Sequence, residues 1–169
     1  MATDVKQAHI NQSGFLVLGR NRVRALSFVG TSSAGTLAVF DTATAPVTSG
    51  VTYGRTGTTV TVTKTAHGLT TGDVVGIHFE AFPSATDGNY VITRVDANSF
   101  TLTDINTGSI TGSPAAVYVS GGGSWLLTYE SAATDIFNNS PDIPEDGVLA
   151  IKGVYAYMDN LLVTNIFYG

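Results

Sequence analysis

The chain has 169 residues, enough for one domain or two small ones with a core that needs no covalent staple. It contains no cysteine, which excludes disulfides, thiolate chemistry and cysteine-based metal sites. The formal net charge of -5 argues against a general nucleic-acid-binding role, because phosphate contact needs a basic surface.

Only 12% of the residues are charged, while Gly, Thr, Ser and Val are abundant. That balance suits short strands and tight turns and suits helices poorly. No apolar run reaches the roughly 18 residues of a membrane span. The first ten residues lack an apolar stretch followed by a small-residue cleavage site. The chain is therefore expected to work in a cytosol or in particles assembled there, with no membrane and no nucleic acid as partner.

Residues 1–14 are polar and read as an irregular arm. Phe15 to Leu18 is a short apolar run, and Arg20 to Val29 is the next extended segment. Arg20, Arg22 and Arg24 share one parity, so a strand would place them on one face. Leu26 and Phe28 continue that parity but are apolar. Either the face changes character or a bulge intervenes. Gly30 to Gly35 reads as a turn and Thr36 to Asp41 as a strand. Residues 42–57 have the composition of a loop or linker.

The pattern then sharpens. Thr59 to Thr63 alternates polar and apolar β-branched residues, as a half-buried strand does. Ala66 to Asp73 is a turn signal, and Val74 to Phe79 is a second strand. Asp87-Gly88 reads as a tight turn before a third strand, Asn89 to Val95. A fourth, Ser99 to Thr103, follows Asp96-Ala97-Asn98. Val117 to Val119 closes this part, and Gly121 to Gly123 is a joint. Trp125 to Tyr129, Val148 to Ile151, Val154 to Tyr157 and Leu161 to Tyr168 are the later strands, the last expected to be built into a sheet. Residues 128–140 hold one turn of helix at most.

The middle strands are Thr-rich and alternate strictly, whereas the flanking strands are longer in apolar runs and richer in aromatics. Neither flank has enough strands for a stable core alone. Together they are expected to make a jelly-roll-like β-sandwich from residues 1–46 and 118–169. Residues 47–117 are expected to form an inserted small β-barrel or meander. The competing reading is one continuous β domain.

Thr59 to Val62, Ala66 to Leu69, Thr71 to Val75, Asp87 to Ile92 and Asn98 to Leu102 follow in a recognisable order. The segment 58–103 resembles a small β module that recurs in phage tail, baseplate and fibre proteins. More weakly, Pro144 to Leu149 and Ile166 to Gly169 are similar to the ends of short phage virion proteins. The resemblance implies a virion part and no activity. Within the module, His67 is expected to order its turn by hydrogen bonding and Asp73 to cap backbone amides.

Chemistry-bearing groups are sparse. His67 and His78, with Asp73 or Glu80, could be drawn as a metal site. Asp135, Asp142, Glu145 and Asp146 could be drawn as paired carboxylates, but a Pro-containing loop explains them as solvated turn residues. No serine lies in a nucleophile elbow. No catalytic, cofactor or metal residue is assigned, and no enzyme is expected.

Trp125, Tyr129, Phe137, Tyr155, Tyr157, Phe167 and Tyr168 crowd the C-terminal part. Strand aromatics are more often core or subunit interface than sugar platforms. The candidate interface is Phe15, Arg20, Arg22, Arg24, Tyr155, Tyr157, Phe167 and Tyr168. The arginines would meet acidic partner surfaces. The expected role is a capsid decoration or cement protein of a phage, bound in many copies to the major capsid protein or other virion proteins. Self-association as a trimer or dimer is expected. A tail, baseplate or fibre-adaptor component is the alternative, and a carbohydrate-binding adhesin the third reading.

Overall fold

The structure is a computed structural model that describes residues 5–80, 84–133 and 138–169. The described residues form sixteen strands and no helix, so the chain is all-β. In chain order these begin with β1 (Lys6–Ile10), β2 (Gly14–Leu18), β3 (Asn21–Gly30), β4 (Gly35–Asp41), β5 (Val51–Thr56) and β6 (Thr59–Lys64). Next come β7 (Val74–Phe79), β8 (Gly88–Val91), β9 (Thr93–Arg94), β10 (Ser99–Thr103) and β11 (Ala116–Val119). The last are β12 (Ser124–Ser131), β13 (Asn138–Asn139), β14 (Val148–Ala150), β15 (Gly153–Asp159) and β16 (Leu161–Tyr168).

The chain divides into two compact units, residues 1–45 with 126–169, and residues 46–125. The second boundary falls at 125 where the sequence suggested 117. Ala116–Val119 belongs to the middle unit because it pairs with β7, Tyr118 opposite Ile77.

The first unit consists of two sheets, β1-β16-β3-β13 with β14 also on β3, and β12-β4-β15-β2. The pairing is nested: β1 with β16, β2 with β15, β3 with β13 and β14, β4 with β12. That is the strand order of a jelly roll, in which a long hairpin is folded over itself into two sheets. Both sheets supply one core, with Val23, Leu26, Phe28 and Ile166 from the first and Leu16, Leu37, Val39, Val154 and Ala156 from the second. The turn that leads into β15 is held by a buried carboxylate. Asp41 accepts the backbone N–H groups of Ile151 at 2.9 Å, Lys152 at 2.7 Å and Gly153 at 3.1 Å. Each such bond to a charged acceptor is worth about 1.5–3 kcal/mol.

In the second unit the sheets are β5-β6-β10-β9 and β11-β7-β8. Val60 and Val62 of β6, fully buried between exposed threonines, show why the strict alternation specifies this register. They share a core with Tyr53, Val75, Ile77, Phe79, Ile92, Phe100 and Tyr118. The incoming chain is tied to the outgoing one, Val47 exchanging backbone hydrogen bonds with Tyr118 at 2.8 and 3.2 Å. The outgoing segment crosses β7 at Gly76, where an added Cβ would meet the Trp125 backbone nitrogen at 2.1 Å. The Asn89 amide clamps the same residue. It accepts the Trp125 N–H at 2.7 Å and donates to the Trp125 carbonyl at 3.0 Å.

Several expectations need correction. The supposed arm contains β1, whose Ala8 and Ile10 pack on the core and whose backbone pairs with β16. The supposed linker contains β5, paired residue for residue with β6. The polar residues of β1 and the Gly- and Thr-rich setting of β5 hid both. Asp87-Gly88 is not a tight hairpin turn. The Asp87 carboxylate instead accepts the Phe79 N–H at 2.8 Å across a longer loop. Residues 128–131 continue β12, which does not conflict with the limit of one helical turn over residues 128–140. Asp135 and Phe137 lie outside the described residues.

Two substitutions test the packing. Thr164 is 1% exposed, shares the inward parity of Ile166, and its hydroxyl has no hydrogen-bond partner among the described residues. Thr164→Val should therefore raise stability by about 1 kcal/mol in chemical denaturation. Gly76→Ala should lower it by about 2 kcal/mol, because its methyl meets backbone and not a movable side chain.

Candidate functional site

The parity conflict in β3 is resolved by a bulge. Tyr168 of β16 lies opposite Val23 and Phe167 opposite Ala25, so Arg24 is an extra residue on β3. Val23 and Leu26 can then both be buried, while Arg22 and Arg24 face outward. Arg20 precedes the strand. It stands exposed in the turn from β2, where Gly19 has φ +82 and the Asn21 amide donates to the carbonyls of Leu18 at 3.3 Å and Gly19 at 2.9 Å.

The opposite wall comes from β14, which sets Leu149 against Arg22. Arg22 also exchanges backbone hydrogen bonds with Gly169, at 3.2 and 3.1 Å. Arg20, Asn21, Arg22, Leu149 and Gly169 line an open hollow of about 200 Å³. The guanidinium groups beside it are steadied by a turn. Gly147 donates its N–H to the Pro144 carbonyl at 2.6 Å, with Gly147 at φ +72. This presents the Asp146 carbonyl, which accepts from Nη1 of Arg22 at 2.9 Å and of Arg24 at 3.2 Å. Among the described residues the ion pairs are Arg55–Asp104 and His78–Asp87, so no carboxylate of these residues lies within ion-pair distance of Arg20, Arg22 or Arg24.

The aromatic members of the expected interface are elsewhere. Phe15 and Tyr155 face each other across β2 and β15 with ring centroids 5.0 Å apart, edge to face. They share an outward parity with half-buried Tyr157, since Val154 and Ala156 point into the core. Tyr155 is itself buried, which pushes its hydroxyl pKa up. Phe167 is half-buried on the outward face of the other sheet, and Tyr168 packs against the core. The structure thus brings the three arginines together and distributes the aromatics over two opposite faces and the interior. Asn21 and Leu149 escaped the sequence reading. Asn21 between two arginines was a usable signal, but the position of Leu149 depends on long-range register.

His67 and His78 are occupied structurally. His67 Nδ1 accepts the Leu69 N–H at 3.0 Å, which leaves Nε2 to donate to the Asp96 carbonyl at 3.0 Å. Asp73 accepts the Thr70 N–H at 2.8 Å. His78 Nδ1 lies 2.7 Å from an Asp87 oxygen. No three His, Asp or Glu side chains come within reach of a common metal ion among the described residues.

The second unit carries one buried ion pair, Arg55–Asp104, with the Asp104 side chain fully shielded. Burial raises the pKa of Asp104, but hydrogen bonds from Thr86, Asn106 and Arg55 outweigh it and hold the carboxyl below its ordinary value. The Tyr90 hydroxyl is pushed up to about 12, first by burial and then by the charges of Asp104 and Asp87. Burial does the same to Tyr53, also to about 12, whose hydroxyl donates to the Glu80 carbonyl at 2.7 Å. This cluster is a structural staple of the unit, facing its core and not an open site.

Comparison with protein-family models, curated proteins and solved structures finds no match to this chain.

The ion pair has a defined pH dependence. A carboxyl whose folded pKa is depressed stabilises fully above its unfolded value of about 3.9 and loses that contribution as pH falls through the folded value. Asp104→Asn should destabilise the second unit at neutral pH by about 3 kcal/mol, since it leaves Arg55 buried without its counter-charge. In denaturant melts the gap to the wild type should narrow progressively below about pH 4.

Proposed function

We propose that the protein is a structural component of a bacteriophage virion, in the many-copy role of a capsid decoration or cement protein. The observation that carries this reading is the nested strand order of the first unit. Jelly rolls are a common solution for parts of viral shells. The middle unit lies in the chain between β4 and β12, the innermost pair of that order. Its segment 58–103 is the part that resembles a recurrent phage module. The first unit would bind the major capsid protein or a neighbouring virion protein, and the middle unit would be the outward cargo.

The function is mechanical, without a catalytic step. Copies would associate symmetrically, as a dimer or trimer, in particles assembled in the bacterial cytoplasm.

A quantitative gel of purified virions tests the reading. A shell role requires copies on the order of hundreds, in simple proportion to the major capsid protein. About a dozen copies or fewer would move the protein to the tail or baseplate. Its absence from purified particles would overturn the virion reading altogether.

A further inference from the structure

The hollow beside β3 has the attributes of a binding site that the fold alone does not need. Three guanidinium groups lie within five residues of a chain whose acids outnumber its bases, 13 to 8. None is ion-paired among the described residues. Arg22 and Arg24 each use Nη1 on the same main-chain oxygen, and the Arg20 side chain makes no hydrogen bond among the described residues. A guanidinium has five N–H donors, so most of the donating capacity at this spot is unspent. Glu145 and Asp146 stand in the turn whose backbone meets Arg22 and Arg24, but both residues are exposed and neither side chain pairs with the arginines among the described residues.

The geometry is also pre-set. The β3 bulge, the two-way backbone bond between Arg22 and Gly169, the Asn21 amide across the Leu18–Gly19 turn and the Asp146 carbonyl together fix where the guanidinium groups start. Less rotamer entropy of Arg22 is then lost on binding. Leu149 gives one apolar wall, suited to the methylenes that carry a carboxylate.

We propose that the hollow lined by Arg20 and Arg22 binds carboxylate side chains of an acidic peptide segment on a partner protein. Planar forks matched to carboxylates favour bidentate recognition there. A hollow of about 200 Å³ holds one or two such groups. Nucleic acid is disfavoured because its backbone needs a run of basic side chains to follow, and only Arg20, Arg22 and Arg24 gather at this spot. The site deepens the proposed virion role by giving the attachment surface a ligand chemistry. It is tested on the isolated protein, so absence of the chain from virions and absence of peptide binding are separate results.

The probe is a hexaglutamate peptide, titrated by calorimetry and by amide chemical shifts at low and physiological salt. Binding should weaken at least about tenfold in Arg22→Gln and in Arg20→Gln, a loss of about 1.4 kcal/mol or more. Arg20→Gln is the safer variant, because the Arg20 side chain bonds nothing among the described residues. Arg94→Gln, which removes an exposed arginine of the other unit, should leave affinity unchanged. A hexaglutamine peptide should not bind. The proposal fails if hexaglutamate does not bind, if Arg20→Gln and Arg22→Gln bind it as the wild type does, or if a single-stranded oligonucleotide of equal charge binds the same residues more tightly.

Discussion

β3 has to satisfy two opposite demands along ten residues. One part must bury Val23, Leu26 and Phe28 against the second sheet, and the same strand must carry arginines into water. A regular strand cannot do both, because its side chains alternate strictly and residues 22, 24, 26 and 28 would share one face. The single extra residue opposite Phe167 and Tyr168 changes the phase. It keeps the hydrophobic set in the core, and a one-residue slip without it would expose that set or bury the arginines. Burying an unpaired guanidinium costs several kcal/mol, far more than the local distortion of a bulge. The core of the first unit and the basic hollow are therefore consequences of one backbone irregularity.

The middle unit obeys a different constraint, closeness of its ends. Val47 and Tyr118 are hydrogen-bonded neighbours, so the chain leaves this unit beside the place where it came in. Such an arrangement lets a unit of this kind occupy a hairpin without stretching its strands. The clamp of Asn89 on Trp125 and the bare backbone of Gly76 pack the last residues of this unit against its own strands. The triple glycine at 121–123 is thus confined to the turn before β12, where Gly121 and Gly122 take positive φ values of 65° and 79°.

Buried polar groups set the remaining details. Asp41 gathers three backbone N–H groups in the first unit, and Asp104 gathers Arg55, Thr86 and Asn106 in the second. Each is a carboxylate whose desolvation is offset by fixed donors, which ties a loop to a strand more specifically than apolar burial can. Their loss would leave donors unsatisfied inside the protein, so they constrain the fold more tightly than their number suggests.

Much of this was legible in the chain itself. The class followed from composition, and the strict Thr-Val alternation of Thr59–Lys64 specified which side of that strand is inside. The turn at His67 and the cap at Asp73 followed from local chemistry, because both partners lie within a few residues. The arginine parity left open a face of changing character or a bulge, and the β16 register decides for the bulge. The strands at Lys6–Ile10 and Val51–Thr56 were missed, since polar and small residues become strands there only through their partners β16 and β6. Only the tertiary structure decided that Leu149 faces Arg22, that Phe15 and Tyr155 lie on another face from the arginines, and that the strands nest first with last. Those facts depend on register between segments far apart in the chain, and periodicity along a chain carries no information about which distant strand it will meet.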